Sequence, residues 1–121
     1  MKTMLPIAMS DIHAHLTQEH VEALFGTGHA LTKWRDLTIP GAYACHETVE
    51  VRGPAGGIRG AVVVGPCRSY TQVEVSLTNA ATLGITPPLR ESGDLEGSPG
   101  AVLVGTAGEL KLEKGIVAAL R

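Results

Sequence analysis

The chain has 121 residues, of which 44% are apolar, but it carries one Trp, two Tyr and one Phe, so a single domain must build its core from Val, Leu, Ile and Ala. A net charge of −2 without any basic stripe excludes an electrostatic case for nucleic acid, and no apolar run approaches the ~20 residues that a bilayer-spanning helix needs. Two cysteines, and an N-terminus whose short apolar run is broken by Pro6, make a poor case for export and point to a cytoplasmic chain with reduced thiols.

In chain order, Leu5 to Met9 reads as a first strand, with His13-Ala14-His15 directly behind it. Thr17 is expected to cap a helix over Gln18 to Phe25, with Leu16 stapled to Val21 and Gly26 and Gly28 ending it. Extended segments follow around His29 to Leu37 and Glu47 to Val51, with Ile39-Pro40-Gly41 as a turn between them. Gly53-Pro54-Ala55-Gly56-Gly57 joins Thr48 to Val51 and Ile58 to Val64 into a hairpin. Thr71 to Ser76 alternates as a strand, with Gln72, Glu74 and Ser76 on one face. Thr78 is expected to cap a two-turn helix ending at Gly84. A Pro/Gly-rich connection, Pro87 to Gly100, leads to a last hairpin of Ala101 to Val104 and Glu109 to Glu113. Ile116 to Leu120 reads as a further strand, which either closes the sheet or leads onward. Strands outnumber helices and the hairpins are antiparallel, so the expected fold is mainly β, a small antiparallel β-barrel capped by short helices.

His13 and His15 carry the clearest chemical signal. On a strand, residues two apart share a face with Cα atoms roughly 6.5–7 Å apart. Their imidazoles can then converge on one divalent metal, since neutral ring nitrogens bind zinc at about 2.0–2.1 Å. The same pair can equally be two polar residues at a strand end. Glu74 is a candidate third ligand, with a solvent-facing glutamate as the alternative. Arg68, at the end of a valine-rich strand, can hold a phosphate bidentately or form a surface ion pair. The glycines of Arg90 to Gly100 can expose backbone N–H groups to an anion, although the acidic residues there favour a structural loop. Cys67 has no histidine at a telling spacing, and His20, His29 and His46 read as ordinary polar residues. Asp11-Ile12-His13-Ala14-His15 is also similar to the first-strand D-x-H-x-H of metal-dependent amidohydrolases. Those α/β barrels typically need ~250 residues and alternate strands with helices, which this pattern does not.

Four segments in order, SDIHAHLT (Ser10 to Thr17), LTKWRDLTIPGAYACHETV (Leu31 to Val49), GPCRSYTQVEVS (Gly65 to Ser76) and PPLRESGDLEGSPG (Pro87 to Gly100), resemble the PduL-type phosphate propanoyltransferases. The resemblance implies a zinc-dependent exchange between acyl-CoA plus phosphate and acyl phosphate plus CoA, with propanoyl- or acetyl-CoA as substrate. It also implies two β-barrels with two metals between them. Carried onto this sequence, His13, His15 and Glu74 match the ligands of one zinc, and Arg68 matches a phosphate-binding arginine. Residues 1–115 would form the first barrel, and 116–121 the start of a strand leading to a second barrel. The second H-x-H of the family is expected immediately after Arg121.

The sequence departs from the family pattern at Ile12, where arginine is usual, at Asp11, where asparagine is usual, and at His46, where glutamate is usual. Loss of the cation at Ile12 is expected to weaken binding of CoA or phosphate. Only twelve residues precede His13, so encapsulation in a microcompartment is not expected. The competing reading is a catalytically incomplete single barrel that binds metal or CoA, or self-associates through an exposed edge near Ile116 to Leu120.

Overall fold

The computed structural model describes residues 12–86, 89–90 and 98–119. Its strands are β1 (Ile12–His15), β2 (Lys33–Asp36), β3 (Tyr43–Arg52), β4 (Gly57–Gly65), β5 (Gln72–Val75), β6 (Leu89–Arg90), β7 (Ala101–Val104), β8 (Glu109–Leu112) and β9 (Ile116–Ala119). Two short helices, α1 (Gln18–Phe25) and α2 (Leu77–Leu83), accompany them. The expected strand at Leu5 to Met9, and most of the Pro87 to Gly100 connection, lie outside the described residues. His13 and His15 both lie within β1 itself.

The strands form one curled sheet in the order β6-β9-β5-β1-β4-β3-β7-β8, with β2 added alongside β3. The mainly β reading therefore holds, and so do the hairpins β3–β4 and β7–β8. The sheet is mixed, however, because β1–β4, β5–β9 and β6–β9 are parallel. Parallel neighbours need a long crossover. Between β1 and β4 that crossover is not one long helix but α1 followed by β2 and β3. β9 is no free edge: it pairs with β5 on one side and β6 on the other, and Ile116, Val117 and Ala118 are buried. The exposed docking edge envisaged near Ile116 is thus absent among the described residues.

Local chemistry explains the helices. The Thr17 hydroxyl accepts from the His20 N–H at 3.1 Å, and Leu16 and Val21 are both fully buried, as a hydrophobic staple requires. Gly26, at a φ of 117°, ends α1. For α2 the cap is Ser76, not Thr78, which lies inside the helix. Ser76 Oγ accepts from the Asn79 N–H at 3.0 Å while Asn79 Oδ1 accepts from the Ser76 N–H at 3.3 Å, a reciprocal box that Thr78 has no equivalent of.

Strand alternation separates two faces of the central sheet. Ile12, Ala14, Ala61, Val63, Val73 and Val75 point into the main core, where Val21 and Leu24 of α1 and Ala80 and Leu83 of α2 join them. Their strand neighbours His13, His15, Val62, Val64, Gln72 and Glu74 occupy the opposite face. Ile12 is accordingly a core residue, packed on the side away from His13 and His15. No described helix is long and apolar enough to cross a membrane.

Candidate metal centre

The register of β1 and β5 brings the candidate ligands together. His13 lies directly opposite Glu74, and His15 opposite Gln72. His13 Nε2 is 3.1 Å from Glu74 Oε1, and His15 Nε2 is 3.3 Å from Glu74 Oε2. The two imidazoles meet edge to face with centroids 5.2 Å apart. One potential ligand atom from each of His13, His15 and Glu74 falls within 4.8 Å of the others. Among the described residues this is the one His/Cys/Asp/Glu group with that geometry.

Burial decides between the alternatives left open for Glu74. The residue is 9% exposed and is no solvent-facing glutamate. Every residue of β5 is buried, and β1 and β9 flank it on either side. Burial pushes the Glu74 carboxyl up, but hydrogen bonds from His13 and His15 outweigh it and hold the group well below the usual carboxylate range. Burial also lowers the pKa of His15, against the opposing hydrogen bond to Glu74, and the positive charge of Arg68 acts in the same direction as burial. Near neutral pH His15 is therefore a neutral imidazole facing an anionic carboxylate. Its Nδ1 is buried with no hydrogen-bond partner among the described residues.

Arg68 sits in the connection between β4 and β5. Its backbone N–H donates to the Leu16 carbonyl at 2.8 Å, which ties that connection to the residue after His15. Its guanidinium donates to the Tyr70 hydroxyl at 3.1 Å and lies 6.0 Å from that ring's centroid. Arg68 is half-buried, within electrostatic range of His15.

One residue was read from the sequence only as a sign of a polar face. Gln72, fully buried, donates from Nε2 to Glu74 Oε2 at 2.8 Å. Its i, i+2 spacing from Glu74 on a strand was the available signal. The remaining histidines stay apart from the centre's ligands. His20 Nδ1 is 2.5 Å from Thr71 Oγ1, His29 pairs with Glu47 at 2.6 Å, and His46 is exposed beside Trp34. Both cysteines are free: Cys45 is buried in the core with its thiol pushed up to about 11, chiefly by burial, and Cys67 donates to Gln18 Oε1 at 3.3 Å.

Comparison with known proteins supplies the family. The family model for phosphate propanoyltransferase matches residues 6–121. The chain is 47% identical over 120 residues to a phosphate propanoyltransferase of Clostridioides difficile, covering 99% of this chain and 57% of that protein. It is 50% identical over 115 residues to one of Thermotoga maritima, covering 95% and 55%. A third, from Rhodobacter capsulatus, is 45% identical over 118 residues, covering 98% and 55%. The chain thus spans about half the length of these relatives. On the family match and on these identities over nearly its whole length, the chain belongs to the phosphate propanoyltransferase family.

Proposed function

We propose that this chain forms part of a metal-dependent phosphate acyltransferase that interconverts propanoyl- or acetyl-CoA plus phosphate with acyl phosphate plus CoA. The observation that carries the reading is the convergence of His13, His15 and Glu74 on one sheet face in a chain of this family. Residues 1–115 would be one β-barrel domain, with the active site completed by a second barrel, and the cytoplasm is the expected location.

The donor set suits zinc: two imidazoles and a carboxylate, with His15 held neutral and Glu74 held anionic. Bound there, zinc supplies Lewis-acid polarisation of the thioester carbonyl or stabilisation of the departing thiolate.

The protein's own residues supply position and charge. Arg68 offers a planar fork for phosphate, and its cation offsets repulsion between phosphate and the anionic CoA. A phosphate oxygen attacks the thioester carbon, a C–O bond forms, the C–S bond breaks, and CoA leaves as thiolate. Phosphate is itself a competent nucleophile, so no side-chain nucleophile is needed. Cys67 is suited to none, since burial raises its thiol pKa.

The test uses protein expressed from its full coding sequence, loaded with zinc and given propanoyl-CoA and phosphate. Phosphate-dependent release of free thiol, abolished by chelator and restored by zinc, is the expected result. Zinc binding without turnover would favour the single-barrel binding module, and neither binding nor turnover would overturn both readings.

A further inference from the structure

We infer that Gln72 is the positioning residue of this centre: its buried amide fixes the plane of the Glu74 carboxylate so that the carboxylate faces both histidines. The inference rests on the metal reading of His13, His15 and Glu74.

Gln72 is the most deeply buried polar side chain among the described residues, at 0% exposed. A carboxamide loses its water contacts there, and an apolar residue would fill the site without that loss. The amide is explained by what it touches. On β5 it shares a face with Glu74, and it stands opposite His15 on β1. Nε2 donates to Glu74 Oε2 at 2.8 Å, and because an ionised carboxylate only accepts, the amide must turn its NH2 rather than its carbonyl towards it.

Glutamate reaches the centre through three torsions, so its carboxylate plane is set only if an oxygen is held. Gln72 holds Oε2, which also lies 3.3 Å from His15 Nε2, while Oε1 lies 3.1 Å from His13 Nε2. Each imidazole is thereby given its own oxygen. The donor is neutral, which matters as much as its reach. A lysine or arginine at this position would neutralise Glu74 and compete with a bound cation, whereas an amide orients the anion and leaves its charge in place. Hydrogen-bonded partners of ligating side chains generally act in this way, and their loss weakens metal affinity by roughly 10- to 100-fold.

The experiment compares wild-type protein with Gln72→Met, which keeps the volume and removes the donor. It adds Gln72→Asn, which keeps an amide but withdraws it by one methylene, and Val73→Ala, which loosens the same strand from its core side. Zinc affinity is measured by competition with a chromophoric chelator, and cobalt(II)-loaded protein is followed by visible absorption. Both Gln72 variants should still bind one ion per chain, but roughly 10- to 100-fold more weakly and with an altered cobalt spectrum. Val73→Ala should lose thermal stability yet keep wild-type affinity and spectrum. Unchanged affinity and spectrum in both Gln72 variants would overturn the inference alone. So would an equal loss in Val73→Ala, which would mark general loosening. Failure of wild-type protein to take up zinc would overturn the metal reading and this inference with it.

Discussion

Two carboxylates, Glu74 buried and Glu47 half-buried, show how the surroundings of a single residue decide its role. Glu74 faces two histidines and an amide across β1 and β5, an arrangement open to a cation. Glu47 on β3 is instead closed by its partners. It accepts from the Thr32 N–H at 2.9 Å and Oγ1 at 2.5 Å, and from His29 at 2.6 Å, which fastens the segment after α1 onto β3. Burial pushes the Glu47 carboxyl up, but the hydrogen bonds from Thr32 and then His29 outweigh it and bring it down to about 2, from an ordinary value of 4.5. With the folded value below the unfolded one, the stabilisation is complete above about pH 4.5 and is lost as the pH falls towards 2. Glu47→Gln should therefore lower the urea midpoint clearly at neutral pH, and the gap from wild type should narrow by about pH 3. A gap that stayed constant across that range would show that the carboxylate's charge plays no part in the fastening.

At the scale of elements, the end of β5 offers a direct check on which residue starts α2. Ser76→Ala should destabilise the fold by about 1 kcal/mol in chemical unfolding, while Thr78→Ala, an exposed change at the second residue of the helix, should be near neutral. The reverse order would restore Thr78 as the cap. Ser76 was hidden because it also completes the alternation Gln72, Glu74, Ser76, so strand period and cap chemistry compete for it. The helix at Gln18–Phe25 was legible for the opposite reason: cap, staple and terminal glycine are all local and agree. The Gly53 to Gly57 turn was legible in the same way, and the Gly53 N–H donates to the Gly56 carbonyl at 2.8 Å. The parallel pairing of β1 with β4 was not legible, since it depends on how a distant crossover folds back. Nor was the burial of Glu74, because a polar alternation reads as solvent-facing until the partner strand is known. What the sequence did carry was the identity of the three side chains, and the register supplied their meeting.

For the molecule as a whole, the centre joins strands far apart in sequence: β1 lies about sixty residues before β5. A ligand bound across them stabilises only the folded sheet, since an unfolded chain does not hold the three side chains together. Zinc at a hundred times its dissociation constant should add about 2.7 kcal/mol. For a domain of this size that is a rise in melting temperature of the order of 10 °C. Removal of zinc by chelator should reverse the rise, and His13→Ala should abolish it. A melting temperature indifferent to zinc in the wild-type protein would mean that no cation bridges β1 and β5.

The identity of the atoms around bound zinc tests the central claim most directly. X-ray absorption at the zinc edge should show one ion per chain with nitrogen and oxygen neighbours at about 2.0–2.1 Å. It should also show the multiple scattering of two imidazoles, with that signature lost in His13→Ala. Sulfur scattering at about 2.3 Å would move the site to the cysteines. That result, or an imidazole signature untouched by His13→Ala, would contradict a centre built from His13, His15 and Glu74.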